Sequence, residues 1–260
     1  MNTNTNKNTH FLQLIALGLF TGYISALLGI GGGTILVTGL YLIVRLPLKQ
    51  SIGTALTVIV IYSLCGVLVH LFIRLHNFKF FYAFLITSGA VFGSATGILF
   101  LNRIANRLLT LLYVLLLCII SFHLFGFITL SISIIHLNTV LFLFIIIILG
   151  YIAGITSALF GIGGGILFVP TLTILLNCSM KEAIPTSLLC IFLTTLVGSI
   201  LHFKNKNVNF SYVKYLFFSP IIGAIFGAIT LHYLTPILLK YIFGCLFILC
   251  AFIMIIKNNK

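Results

Sequence analysis

Five residues, Gly29-Ile30-Gly31-Gly32-Gly33, return letter for letter as Gly161-Ile162-Gly163-Gly164-Gly165. Ser25-Ala26 precedes the first copy and Ser157-Ala158 the second, and a Val follows each at the same offset (Val37, Val169). From 18 to 70, about 20 of 53 positions are identical to their counterparts at an offset of 161 − 29 = 132 residues. The matches include Gly22/Gly154, Lys49/Lys181, Thr54/Thr186, Gly66/Gly198 and His70/His202; after a two-residue deletion they resume with Gly93/Gly223 and Gly97/Gly227. Similarity this regular describes one unit used twice. Each adjacent glycine costs about 1 kcal/mol of helix propensity and contributes no side chain, so a run of three interrupts the helix that carries it.

The surrounding residues say where this happens. The chain is 61% hydrophobic and 6% charged, whereas soluble domains average about 25% charged. No soluble surface can be assembled from it, and the reading is an all-α integral membrane protein. Eight transmembrane spans fit, in two homologous four-span repeats, each with a Gly-broken first helix. They are 11–28 with a short arm 34–44, then 51–73, 80–101 and 108–128; then 139–160 with an arm 166–176, 184–203, 212–233 and 237–256. The expected domains are a disordered N-terminal tail 1–10, a first transmembrane repeat 11–128, a linker 129–138, a second transmembrane repeat 139–256 and a C-terminal tail 257–260. An arm of eleven residues reaches about 16 Å as helix, half a bilayer. The broken helix therefore either crosses once or folds back as a hairpin. The distribution of Lys and Arg favours the hairpin, which leaves an odd number of crossings per repeat and inverts the second repeat relative to the first. Both arrangements put the two termini on one side, and the Lys257/Lys260 tail marks it as cytoplasmic, in a cell membrane.

Fourteen Lys and Arg face a single acid, Glu182. The basic residues are scattered singly over loops, which suits orientation and contact with the lipid bilayer and gives no basis for nucleic-acid binding. None of the apolar spans holds the carboxylate with which many carriers bind a cation. Six cysteines lack metal-site spacing and read as apolar packing residues, so no metal or cofactor is implied. Tyr82, Tyr212, Tyr215, Tyr233 and Tyr241 near the span ends supply the aromatic belt in a chain without Trp.

Unwound backbone is tolerated within a membrane only where protein or a water-filled cavity surrounds it. After each break a new helix starts, at Thr34 and at Ile166, with unpaired N–H groups and a positive dipole end, a combination that binds anions. The candidate substrate-binding residues are therefore Ser25, Gly29, Gly31, Gly32, Gly33 and Thr34 in the first copy, and Ser157, Gly161, Gly163, Gly164 and Gly165 in the second. A purely structural kink is the plainer alternative. His70 and His202 are possible coupling or anion-contact groups; the plainer reading is a hydrogen-bonded histidine. His123, His136 and His232 read as loop or span-end residues. Thr54 and Thr186 read first as helix caps and second as chamber lining. The glycines of Gly18-x-x-x-Gly22, Gly93-x-x-x-Gly97, Gly150-x-x-x-Gly154 and Gly223-x-x-x-Gly227 read as helix-packing contacts.

Taken together, Gly-x-x-x-Gly, Ser-Ala, Gly-Ile-Gly-Gly-Gly and Val169-Pro170 in a duplicated chain resemble the TauE/SafE family of sulfite-exporter-like permeases, from about Gly18 to Ile256. The resemblance implies transport of a small anionic substrate such as sulfite, thiosulfate or an organosulfonate. It makes the two glycine runs the family's signature positions and Pro170 its helix-break proline. In the first repeat Thr38 replaces that proline, so its break is expected to be less sharp. The rival readings are a non-transporting biogenesis or anchoring component, which predicts a centre without a polar chamber, and a membrane enzyme, for which the spans offer no nucleophile, acid pair or metal cluster.

Overall fold

The computed structural model describes residues 3–72, 78–101 and 139–235, with scattered positions from 111 to 125 and from 237 to 256. Every regular element named among them is helical. The first half contributes α1 (Thr3–Leu28), α2 (Gly33–Ile43), α3 (Leu48–Phe72) and α4 (Phe80–Leu101). The second contributes α5 (Thr139–Phe160), α6 (Gly165–Pro170, continued by a π turn Thr171–Leu175), α7 (Met180–Lys204), α8 (Phe210–Tyr215) and α9 (Ser219–Tyr233). Among the described residues, five stretches are long and apolar enough to cross a membrane: Phe11–Leu28, Leu48–Phe72, Phe80–Leu101, Val140–Phe160 and Met180–Lys204. Large side chains such as Phe72, Phe84, Phe92, Phe144 and Phe226 are exposed on the outside of the bundle, as a lipid-facing surface requires. The predicted spans 108–128 and 237–256 fall largely outside the described residues. The linker 129–138, the 257–260 tail, His123 and His136 fall wholly outside them.

Two boundaries depart from the sequence reading. Helix α1 begins at Thr3, within the segment read as a tail, and no Gly or Pro intervenes before Phe11 to end it. The stretch 212–233, read as one helix, is two. Pro220 lies in the first turn of α9, where its missing N–H is harmless. Inside a continuous helix its ring would clash with the carbonyl one turn earlier.

The arms fold back. Gly39 of α2 packs on the Leu17 side chain of α1, and Gly32 lies against the Thr21 carbonyl. A helix continuing beyond Leu28 would carry Gly39 away from Leu17, so α2 returns alongside α1. In the second half Gly164 takes the matching place against the Ala153 carbonyl.

The long helices then associate across the halves. Helix α1 packs on α9, α5 on α4, and α3 on α7. Glycines set the first two contacts. A Cβ on Gly22 would overlap the Pro220 carbonyl and one on Gly227 the Tyr23 carbonyl; on the other side Gly154 meets the Ala90 carbonyl and Gly93 the Tyr151 carbonyl. The backbones touch, as small-xxx-small contacts allow. Helices α3 and α7 run antiparallel, with Gly66 on Leu188, Gly198 on Leu56, and the Thr57 and Ser199 hydroxyls 2.9 Å apart.

Candidate functional site

The two glycine runs meet at mid-height of the α3/α7 pair. A Cβ on Gly163 would fall against Ile59, Ile191 and Thr195, and one on Gly31 against Ile191 and the Ile162 carbonyl. Ile59 and Ile191 stand near the middle of their 25-residue helices. Both runs bend the chain with the same device. Gly29, Gly31 and Gly32 have φ of 68°, 85° and 56°, and Gly161, Gly163 and Gly164 have φ of 70°, 84° and 82°, a region costly for any residue with a Cβ. Gly33 and Gly165 are needed for a different reason. A side chain on Gly33 would overlap the Gly161 carbonyl, and one on Gly165 the carbonyls of Gly29 and Ile30. The breaks thus cross backbone on backbone, and all ten residues are buried.

Interrupting a helix leaves carbonyls on one side and N–H groups on the other without partners. The last turns before the breaks close with Gly29 N–H on the Ser25 carbonyl at 2.7 Å and Gly161 N–H on the Ser157 carbonyl at 2.9 Å. Side chains from the long pair take several of the carbonyls that remain. Ser187 Oγ lies 2.9 Å from the Gly29 carbonyl and 2.7 Å from the Ile184 carbonyl of its own helix, its one hydrogen shared between them; the Tyr62 hydroxyl donates to the Gly31 carbonyl, and His202 Nε2 lies 3.1 Å from the Ala158 carbonyl. A carbonyl only accepts, so Nε2 carries the hydrogen and Nδ1 of a neutral ring is left as an acceptor. His70 faces the Ala26 carbonyl in the equivalent way without closing a hydrogen bond. Both histidines therefore stand at the ends of the broken helices.

The N–H side is different. The new helices begin with Leu36 N–H on the Gly32 carbonyl at 3.0 Å and with Leu167 and Phe168 N–H on the Gly164 carbonyl at 3.0 and 3.1 Å. No side chain caps either start, so Gly33, Thr34 and Ile35 present N–H groups without an intrahelical acceptor. Three hydroxyls flank the breaks in sequence, Ser25 and Ser157 one turn before them and Thr34 just after the first. Among the described residues, Ser25 Oγ, Thr34 Oγ1 and Ser157 Oγ are buried without a hydrogen-bond partner, and so are both His70 nitrogens and His202 Nδ1. Ser25 lies close to Tyr62, yet its bond to it is not closed. A buried polar atom without a partner costs about 1–3 kcal/mol, and each such atom in a native fold calls for an explanation.

Other residues singled out by the sequence lie elsewhere. Pro170 does not form the break: it sits inside α6, where its missing N–H accompanies the passage into the π turn. The first half, with Thr38 instead, breaks just as sharply and continues as regular α2, because the glycines set the turn. Thr54 and Thr186 neither cap their helices nor reach the breaks. Their hydroxyls accept from Asn209 N–H at 3.0 Å and Lys79 N–H at 3.1 Å, tying each long helix to the opposite half. Glu182 closes a capping box with Ser179 and pairs with Lys79 at 3.3 Å; Lys181 Nζ donates to the His232 carbonyl at 3.2 Å.

Sequence reasoning singled out neither Tyr62 nor Ser187. Tyr62 is the one Tyr of α3 and stands inside the span, away from the ends where a belt Tyr belongs. That position was its signal. Ser187 has Ala55 as its counterpart and so carried no mark of the repeat.

Compared with known proteins, the chain matches the family model described as sulfite exporter TauE/SafE over residues 2–127 and 146–260. It is 29% identical to the probable membrane transporter protein YunE of Bacillus subtilis (strain 168), over 84% of this chain and 85% of that one. To the probable membrane transporter protein YdhB of the same organism it is 26% identical, over 88% and 92%. A Methanocaldococcus jannaschii relative, probable membrane transporter protein MJ0441, is 32% identical over 42% and 43%. No solved structure matches the chain.

Proposed function

The chain belongs to the sulfite exporter TauE/SafE family of membrane transporters, and from that premise we propose that it carries small anions, with sulfite, thiosulfate or an organosulfonate as substrate, bound where its two glycine breaks meet. One observation carries this reading: the breaks cross at the middle of the fold, and the buried hydroxyls of Ser25, Thr34 and Ser157, which flank them in sequence, have no partner among the described residues. These hydroxyls and the uncapped N–H groups are donors, and donors complement an oxyanion. The one acid in the chain, Glu182, is held by Lys79 and Ser179, so no carboxylate opposes an anion at the breaks.

The same proposal includes eight spans in two inverted four-span repeats, with both termini in the cytoplasm and the protein in the cell membrane. Two features support it: the equivalent helices α3 and α7 pack antiparallel, and α1 and α5 each pack on the third span of the other half, α9 and α4. Antiparallel packing of equivalent helices is what a two-fold axis in the membrane plane produces. Transport then proceeds by one half rocking against the other around the crossing, with no covalent chemistry on the substrate.

Flux of radiolabelled sulfite, thiosulfate and isethionate into proteoliposomes tests the reading. At least one should enter saturably, and Gly32→Leu and Gly164→Leu should each abolish entry while the protein still inserts. Wild-type protein that moves none of them, or full flux in both variants, sinks the site as drawn.

A further inference from the structure

The two breaks share a backbone path but not their chemistry. Tyr62, with 1% of its surface exposed, donates from its hydroxyl to the Gly31 carbonyl. The equivalent residue, at 62 + 132 = 194, is Thr194, whose hydroxyl is spent at 2.7 Å on the Cys190 carbonyl of its own helix. Thr34 brings an unpartnered hydroxyl to the start of α2, whereas its counterpart Ile166 brings only carbon.

The Tyr62 bond has two consequences at the first break. It occupies a carbonyl oxygen that would otherwise turn its negative end toward a bound anion. It also fixes the orientation of a whole peptide. The bond joining Gly31 to Gly32 is trans, so its C=O and N–H point in opposite directions. With the oxygen held toward α3, the Gly32 N–H is aimed away from α3, next in order before the N–H groups of Gly33, Thr34 and Ile35, which have no intrahelical acceptor. Thr34, in the first turn of α2, carries a buried hydroxyl with no partner among the described residues, and Ser25 Oγ, likewise unpartnered, lies on the Tyr62 side of the same break. The second break has neither the pinned peptide from Thr194 nor a hydroxyl at Ile166.

We infer that the first break reads the charge of the substrate, the second serving mainly to close against it, and that Tyr62 is the positioning residue that makes the first break receptive to an oxyanion. This rests on the anion-carrier reading above.

The test is the concentration dependence of radiolabelled sulfite flux in proteoliposomes of the full chain, for wild type, Tyr62→Phe, Thr34→Val and Thr194→Val. Losing one donor beside a buried ligand weakens binding about tenfold. Tyr62→Phe and Thr34→Val should therefore raise KM by about tenfold, with the maximal rate retained within about twofold. Thr194→Val should change neither. A merely structural role for Tyr62 would lower the maximal rate and the folded fraction together and leave KM in place. An unchanged KM in Tyr62→Phe, or an equal rise in Thr194→Val, overturns this inference while the carrier reading stands. Should Tyr62→Phe fail to insert, Thr34→Val decides, and an unchanged KM there overturns the assignment of charge recognition to the first break. Wild-type protein without saturable flux of sulfite, thiosulfate or isethionate overturns the carrier reading and this inference with it.

Discussion

Gly32 and Gly33 are neighbours with different duties. Gly32 supplies a left-handed turn (φ 56°), while Gly33 is already helical and gives way to the Gly161 carbonyl of the other run. Gly198, in α7, has neither duty: a Cβ there meets only Leu56 Cδ1, at 3.5 Å. Substitution by Ala should therefore sort the three. Gly33→Ala forces the crossed backbones apart and should destabilise the protein by about 1–3 kcal/mol. Gly32→Ala carries the left-handed penalty of about 1–2 kcal/mol and adds an overlap with the Thr21 carbonyl, 2.6 Å from a Cβ there, so it should fall with Gly33→Ala. Gly198→Ala should be neutral, or stabilising by up to about 1 kcal/mol through helix propensity. Thermal unfolding of the three purified variants in one detergent checks the order, and a drop in Gly198→Ala as large as that in Gly33→Ala contradicts it. At this scale the sequence was legible where chemistry is local. The triple glycine announces a break in either copy, because its cost acts on the backbone whatever surrounds it. The purpose of Gly33 was not legible, since the carbonyl it avoids belongs to a residue in the other half.

Among the elements, α4 with α5 and α1 with α9 form two contacts of one kind, seated by glycines on neighbouring carbonyls. Gly154→Leu should lift α5 off Ala90 and α4, and Gly22→Leu should do the same to α1 at Pro220. Overpacked contacts of this sort cost about 1–3 kcal/mol or more. Both variants should elute as aggregate on size exclusion at a temperature where wild type stays monodisperse, and normal behaviour of both would remove the packing role. The Gly-x-x-x-Gly spacings were readable as packing signals, but not which helix each would meet. Pro220 shows the converse. Its effect on the 212–233 stretch is local and was open to sequence reading, yet hydropathy alone runs through it, because an apolar window does not register a missing N–H.

For the whole molecule, α3 and α7 are the two halves' shared spine, and the Thr57 and Ser199 hydroxyls touch at 2.9 Å across it. If the halves rock around the crossing, a disulfide at this point restrains them. In a background without the native cysteines, Thr57→Cys/Ser199→Cys should carry anions when reduced, stop when oxidised and recover with dithiothreitol, measured as proteoliposome flux. Unchanged flux in fully cross-linked protein would show that the spine does not move during transport. The polar ties at the ends of this spine, Thr54 to Asn209 and Thr186 to Lys79, join the halves without reaching the breaks. Sequence reading assigned these threonines to their own helix starts, where short-range capping rules apply, and the long-range partners prevailed.

The sequence by itself determined that the chain lives in lipid, that one unit recurs and that each copy carries an interrupted first helix. Composition and glycine's backbone freedom are properties of the residues, and they act before any contact forms. Only the tertiary structure decided that α2 turns back along α1, that the two interruptions cross backbone on backbone, and that Tyr62 pins a peptide in one of them and not the other. Those outcomes depend on which surfaces meet across long stretches of chain, and a repeated motif specifies the surfaces without specifying the meeting.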